Sequence, residues 1–309
     1  MMAKITVLMT TYNEKISVLE QAIESIRKQT FSDFNFLIIA DNPGNKEIIN
    51  CLERYRNIDS RIKYLINENN MGLPLSLNRG IECIETKYIA RMDADDIAFL
   101  NRLEVQYQYL EAHQEVDLIG TNMVYIDEDS NVKYARGKII TNQKYIPTAM
   151  KYINFISHPT FMGKTEIFKK YKYRNLRYSQ DYDFSCRLLE NGCVLGNIQE
   201  PLLYYRQIET ISDEKRIQQR MTYHSVQRCY RKGNLTDSDI TAIVEKEILS
   251  LDFQKELVAD KKYTEAFKNL SKKNALKFVA QILDCAVMSK YQRKQLLNLI
   301  LYALIRTFV

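Results

Sequence analysis

The sequence predicts an α/β domain, a sheet of mainly parallel strands with helices on both faces, followed by a helical C-terminal extension. Three observations carry this. Strand-length apolar runs alternate with helix-period segments through the first hundred residues. Each of those runs ends in a polar cluster, and beyond Gln207 only helical periodicity is left.

Ile5 to Met9 and Phe36 to Ala40 read as buried parallel strands, and Ile62 to Ile66 and Tyr88 to Met92 follow at similar spacing. Between the first two lies Ser17 to Gln29, whose Val18, Ala22, Ile23 and Ile26 share one helical face. Lys46 to Tyr55 forms the next helix, and Pro74 opens a short third one, with Gly80 as a candidate C-cap. A second helix start lies near Asn101. The βαβαβ order implies right-handed crossovers and ligands beyond the carboxyl ends of the strands. From about residue 115 to 207 strands and helices mix, which suits a second half of the same domain. Helices are then expected near 212 to 231, 237 to 249, 252 to 268, 271 to 288 and 290 to 308. The domain reading is therefore 1–207 (halves 1–115 and 116–207) plus the extension 208–309.

Composition narrows the class. With 46% hydrophobic and 27% charged residues, only 9 Gly and 5 Pro, the 309-residue chain is neither disordered nor linker-rich. No apolar run approaches the roughly 20 residues of a membrane span, and the N-terminal run turns polar at Thr10, too early for a signal peptide. The expectation is a cytoplasmic protein. Six cysteines without a C-x-x-C pair, and three histidines, form no zinc pattern and read as reduced thiols. Residues 1 to 204 carry 25 Lys and Arg against 26 Asp and Glu, so the net charge of +6 comes from the tail. That tail has no recognised nucleic-acid motif, and its charge suggests an anionic surface as partner.

The chemistry-bearing residues follow the strands. Asp93-Ala94-Asp95-Asp96 puts three carboxylates in four residues after a buried strand. Their repulsion calls for a cation with oxygen ligands, Mg²⁺ or Mn²⁺, and the plainer alternative is an N-capping or solvated acidic turn. Asp41 can accept from a nucleobase or ribose, or make an Asx turn into Pro43-Gly44. In Asn70-Met71-Gly72 and Asn78-Arg79-Gly80, Gly72 permits a tight turn near a ligand and Arg79 is placed to neutralise phosphate, unless both stretches are only loop and cap chemistry. Asp181 opens a helix that Ser179 or Gln180 would cap, and it reads either as a dipole-stabilised cap or as a general base near an acceptor hydroxyl. His158 reads as a structural histidine rather than a ligand.

Taken together, Thr11-Tyr12-Asn13-Glu14, Asp41, Asn70-x-Gly72 with Asn78-x-Gly80, Tyr88 to Asp96, His158-Pro159-Thr160, Gln180-Asp181-Tyr182-Asp183 and Tyr204-Tyr205-Arg206 resemble the family 2 glycosyltransferases, over roughly residues 3 to 207. The resemblance implies the GT-A fold, a Rossmann-like mixed central sheet with helices on both faces. It implies inverting transfer of a hexose from a nucleotide diphosphate sugar, usually a UDP-sugar, and a saccharide is the expected acceptor, lipid-linked if the basic tail binds a membrane. It further implies that Thr11, Tyr12, Glu14 and Asp41 contact the nucleoside, that Asp93 and Asp95 hold ribose, diphosphate and a Mn²⁺ or Mg²⁺ ion, and that Asp181 is the catalytic base. Asn70, Gly72, Asn78, Arg79 and Ala94 complete the nucleotide-sugar set. Two departures stand out: Thr10 replaces the usual proline, and Gln207-Ile208-Glu209-Thr210-Ile211-Ser212 lacks the histidine that many relatives carry after the Tyr-Arg pair.

Two rivals are weighed. A sugar nucleotidyltransferase wants a glycine-rich basic loop after strand one, and Thr10 to Lys15 has no glycine. A sugar-nucleotide-binding subunit without turnover is prompted by the missing histidine. In the tail, residues 255 to 309 alternate basic clusters (Lys261-Lys262, Lys272-Lys273, Arg293-Lys294) with apolar stretches (Phe278-Val279-Ala280, Ile282-Leu283, Leu296 to Ile305). Leu296 to Ile305, with Arg293, Lys294 and Arg306 near its ends, suits an interfacial helix on an anionic membrane, or a face that packs on the catalytic domain or on a second copy in a homo-oligomer.

Overall fold

A computed structural model describes residues 3–207, 212–268 and 275–308. The first half alternates as β1 (Ile5–Thr11), α1 (Ile16–Arg27), β2 (Phe34–Ala40), α2 (Lys46–Ile58), β3 (Ile62–Ile66), α3 (Leu73–Glu82) and β4 (Tyr88–Asp93). Then come β5 (Ile97–Ala98), α4 (Arg102–Ala112), β6 (Leu118–Ile126), β7 (Val132–Ala135), α5 (Ile146–Met150), β8 (Met162–Lys164), α6 (Thr165–Tyr171), α7 (Gln180–Glu190) and β9 (Leu195–Arg206). The sheet order is β3-β2-β1-β4-β8-β6-β9-β5, with β7 paired to β6. β1 to β4 run parallel, while β8 is antiparallel to both β4 and β6, so the sheet is mixed.

Each early element forms for a local reason. β1 and β2 are buried on both faces, so their sequences are continuous apolar runs instead of alternating ones. α1 buries Leu19, Ala22, Ile23 and Ile26 against them, and Asn45 caps α2 by accepting from the Ile48 amide at 3.2 Å. α3 enters from Gly72, at φ 80°, with Pro74 in its first turn. It does not end at Gly80. That residue is inside the helix, where an added Cβ would lie 2.4 Å from Leu8 Cδ1, so its missing side chain serves the close approach of α3 to β1. The acidic run 93–96 is likewise no N-cap, because β5 separates it from α4 and Asn101 occupies the cap position. All six cysteines are unpaired, four of them buried.

The chain divides into two compact units, residues 1–147 with 154–208, and residues 148–153 with 209–309. The second unit thus includes a short segment from the middle of the chain. Its helices are α8 (Asp213–Lys232), α9 (Ile240–Leu249), α10 (Phe253–Lys268), α11 (Ala275–Met288) and α12 (Lys290–Phe308). Within it, Gln227 Nε2 donates to the Tyr152 carbonyl at 2.9 Å and Arg231 Nε to that of Lys151 at 2.7 Å. Buried Asp260 pairs with Arg216 and Arg220. Among the described residues no helix is long and apolar enough to cross a membrane. Lys272-Lys273 and residues 208–211 lie outside the described residues, as do the side chains of Phe278, Val279, Ala280 and Arg306.

Candidate active site

The polar ends of β1, β2 and β4 and the loop after β3 enclose a cleft of about 370 Å³. Thr10, Thr11, Tyr12, Glu14, Asp41, Asn70, Gly72, Leu73, Asp93, Ala94 and Asp95 line it. Parallel pairing makes this convergence inevitable, since neighbouring parallel strands deliver their carboxyl ends to one rim. A larger open groove of about 620 Å³ follows α1 and β5, but it gathers only Glu24 and Lys28 as charged groups.

On the first rim Glu14 folds back. Its Oε2 accepts from Thr11 Oγ1 at 2.6 Å and from the Tyr12 amide at 2.8 Å, which fixes the turn and leaves Tyr12 exposed. Asp41 is buried and organises the next loop: its Oδ1 accepts from Asn67 Nδ2 at 2.6 Å and the Met71 amide at 2.8 Å, and its Oδ2 from the Gly72 amide at 2.8 Å. A carboxylate has about four acceptor positions, so the loop takes most of them and leaves room for one further donor. Asn70 Oδ1 also accepts from Gly72 N, and nothing lies within 4 Å of a Cβ built at Gly72.

Asn78 and Arg79 stand apart from the cleft. Asn78 clasps the Tyr173 backbone, donating from Nδ2 to its carbonyl and accepting its amide at Oδ1, both at 2.8 Å. Arg79 Nη1 donates to the Ile66 carbonyl at 2.8 Å and to Asn67 Oδ1 at 2.5 Å. Arg79 thus stands behind the Asn67 amide that holds Asp41 and does not line the cleft. Arg79 lies in the second turn of α3, on the side that meets the end of β3.

The acidic turn is the electrostatic centre. One carboxylate oxygen from each of Asp93, Asp95 and Asp96 lies within 4.8 Å of the other two. Burial, then the charges of Asp93 and Glu14, push the Asp95 carboxyl up to about 7. Burial and the charges of Asp93 and Asp95 hold Asp96 well above the usual carboxylate range. Asp96 Oδ1 accepts from the Arg206 amide at 2.9 Å, whereas its Oδ2 has no partner. Crowded, desolvated oxygens with unused lone pairs fit a divalent cation with oxygen ligands.

Two arginines frame this turn. Arg91, 2% exposed within β4, pairs with Asp93. Its positive charge also lowers the proton affinities of Asp181, His158 and Tyr173, so one guanidinium joins the acidic turn to the α7 region. Arg206, at the end of β9, donates from Nε to the Asp95 carbonyl at 2.8 Å and from Nη2 to Gln21 Oε1 of α1 at 2.7 Å. Its Nη1 reaches the Asp127 and Glu128 carbonyls and Ser130 Oγ in the β6–β7 turn.

Asp181 is half-buried in the first turn of α7, and its Oδ2 accepts from Asn154 Nδ2 at 2.8 Å. Burial raises its carboxyl, while Asn154, the Tyr182 amide and Arg91 partly offset the rise. Ser179 occupies the N-cap in the left-handed region at φ 56°, and its side chain makes no capping bond. The neighbouring Asp183 is fully buried against Arg187 and Arg174 and is structural. His158 bonds Tyr173 Oη at 2.9 Å and is kept neutral by burial and by Arg91. Sequence reasoning assigned no part to Asn67, Arg91, Asn154 or Arg206. For Arg91 a signal existed: a charged residue in an otherwise apolar strand must have a buried partner.

The sequence pattern that defines the family described as Glycosyl transferase family 2 matches residues 6–172, more than half of the chain. The chain belongs to glycosyltransferase family 2. An uncharacterized glycosyltransferase of Methanocaldococcus jannaschii is 40% identical over 207 residues, covering 65% of this chain and 70% of that protein. The O-antigen biosynthesis glycosyltransferase WbnJ of Escherichia coli is 34% identical over 60% of this chain and 72% of its own, and the amylovoran biosynthesis glycosyltransferase AmsE of Erwinia amylovora is 30% identical over 65% and 75%. Among solved structures, residues 1–349 of Staphylococcus aureus TarS in complex with UDP-GlcNAc align over 96% of this chain and 89% of that one, with a TM-score of 0.58 and 16% identity. This glycosyltransferase therefore has the α/β GT-A fold with a helical C-terminal extension.

Proposed function

We propose that this glycosyltransferase moves a hexose from a UDP-sugar to a saccharide acceptor with inversion at the anomeric carbon, assisted by Mn²⁺ or Mg²⁺. The observation that carries the reading is the gathering of Asp93, Asp95 and Asp96 at the end of β4, beside the cleft that Asp41 organises. Thr11, Tyr12, Glu14 and Asp41 would face the nucleoside, and the acidic turn would hold the cation, which when bound supplies positive charge for the departing diphosphate. Asp181 accepts the proton of the acceptor hydroxyl as its oxygen attacks C1, and the bond from C1 to the diphosphate oxygen breaks on the opposite face. The half-buried carboxylate, bonded by Asn154 and the Tyr182 amide, keeps a lone pair for that proton. Relatives named for O-antigen and amylovoran biosynthesis support a surface polysaccharide as product.

The test is release of UDP from a series of UDP-sugars, with and without Mn²⁺ and with saccharide acceptors. Acceptor-dependent release supports transfer. Donor binding without release would make the chain a binding subunit, and pyrophosphate-dependent conversion of a UDP-sugar to UTP and sugar 1-phosphate would make it a nucleotidyltransferase.

We further propose that the acceptor is lipid-linked and that the enzyme works at the cytoplasmic leaflet. What supports this is α12, which buries Gln292 and Asn298 and exposes Leu297, Ile300 and Leu301. Lys261 and Lys262 contribute less than their charges suggest, since they pair with Asp213 and Asp284. Leu297→Glu with Ile300→Glu is expected to release the protein from anionic phosphatidylglycerol vesicles at low salt. If the parent chain ignores such vesicles and forms dimers that the double variant splits, the face belongs to a second copy.

A further inference from the structure

Three tyrosines on three neighbouring strands stand in one row. Register pairs Tyr125 of β6 with Tyr134 of β7 on one side and with Tyr205 of β9 on the other. Tyr134 stacks on Tyr125 with ring centroids 4.5 Å apart at 28°, and Tyr125 meets Tyr205 edge-on at 5.7 Å and 79°. The inner end of the row adjoins the acidic turn: the residue after Tyr205 bonds Asp96 through its amide and the Asp95 carbonyl through its side chain. The charges of Asp93, Asp96 and Asp95 all bear on the Tyr205 hydroxyl. The outer end is open, with Tyr134 at 50% exposure and Val132, two residues earlier in the same strand across a register shift, at 63%.

Cross-strand aromatic pairs stabilise sheets, and that accounts for Tyr125 and Tyr205, which are half-covered. It does not account for an exposed ring and an exposed valine on a peripheral strand, where burial contributes little. Rings with an apolar face and a wet hydroxyl suit a ligand of the same mixed character. A pyranose is such a ligand, with C–H groups on one face and hydroxyls around its rim. Gln207 Nε2, which donates to Tyr134 Oη at 3.1 Å, adds an amide beside the outer ring. The centroid separations make the row at most about 10 Å long, the scale of two linked sugar rings.

We propose that Tyr205, Tyr125 and Tyr134 form a stacking track for the saccharide acceptor, with its terminal sugar at the acidic-turn end and the next sugar on Tyr134. This rests on the transferase reading and adds the acceptor's length: a disaccharide end is recognised, not a single sugar. The ring, not the hydroxyl, of Tyr134 does the binding.

The chain contains no tryptophan, so Tyr134→Trp installs a single reporter at the outer end of the track. With UDP and Mn²⁺ present, titration with cellobiose, lactose and chitobiose, against methyl β-glucoside, methyl β-galactoside and N-acetylglucosamine, is expected to give a saturable change in emission for at least one disaccharide. Half-saturation for its monosaccharide is expected to be at least about fivefold higher. In saturation-transfer NMR with the same disaccharide, Tyr134→Phe keeps the parent affinity and Tyr134→Ala loses about tenfold or more. Emission that no saccharide moves, or an alanine variant that binds as the parent does, overturns the track. The transferase reading is judged separately, by UDP release from UDP-sugars by the parent chain: release with an unaffected alanine variant sinks the track alone.

Discussion

Replacing Arg206 by methionine keeps most of the aliphatic stem and removes the guanidinium. That group makes five side-chain hydrogen bonds: to the Asp95 carbonyl, to Gln21, and to the Asp127 carbonyl, the Glu128 carbonyl and Ser130. Three of them share Nη1, which has two protons, so about four bonds count in full. Arg206 is only 5% exposed, and water does not readily replace them. At about 1 kcal/mol net for each, and allowing for carbonyls left partly unsatisfied, the loss is about 3–5 kcal/mol. For a catalytic unit of this size that corresponds to a melting temperature lowered by roughly 10 °C. The Arg206 amide still bonds Asp96, so the acidic turn is loosened at Asp95 and not released. Turnover is therefore expected to fall about tenfold or more at a temperature where the variant is still folded. Thermal unfolding followed by circular dichroism, with UDP release measured alongside, checks both parts. A melting temperature within about 2 °C of the parent would refute the clamp.

Two further outcomes follow from the carboxylates. Asp95 takes up its proton near 7 in the folded chain and in the ordinary carboxylate range when unfolded. Between those values the folded state holds the extra proton, so stability without metal falls as pH rises from about 4 to about 7. Asp95→Asn should flatten that slope in pH-dependent melting, Mn²⁺ should raise the parent's melting temperature more at pH 8 than at pH 5, and identical slopes for parent and variant would count against the site. Asp181→Asn is expected to keep UDP-sugar affinity and to lose about 10²-fold or more in rate. Because burial raises the Asp181 carboxyl, the acid limb of the parent's rate profile should lie above the ordinary carboxylate range. Equal losses of affinity and rate would make the residue structural.

How much was legible in the sequence differs sharply between elements and contacts. β3 runs from Ile62 to Ile66, α2 begins at Lys46, and α12 spans 290 to 308, all where periodicity and caps put them. Such signals are local, because strand and helix periods repeat every two and 3.6 residues. The acidic turn was legible for the same reason, its three carboxylates being neighbours in the chain. Gly80 and Ser179 were misread because the same residue types serve two purposes: a glycine caps helices but also admits close packing, and a serine at an N-cap position does not always make the bond.

What only the tertiary structure decided is who holds whom across long stretches of chain. Asp41 is committed to Asn67, Met71 and Gly72, and Asn78 to Tyr173, 95 residues away. Arg206 reaches back 111 residues to Asp95 and 185 to Gln21. Residues 148–153 belong with the helices that begin sixty residues later. None of these pairings leaves a periodic trace, since a buried donor is satisfied by whichever acceptor the fold brings near it. The sequence by itself determined the order of elements through β4 and in the tail, the rim on which polar residues collect and the family. Which of those residues face the cleft and which brace it from behind was set by sheet register and helix packing, where shifting a strand by one residue exchanges its two faces.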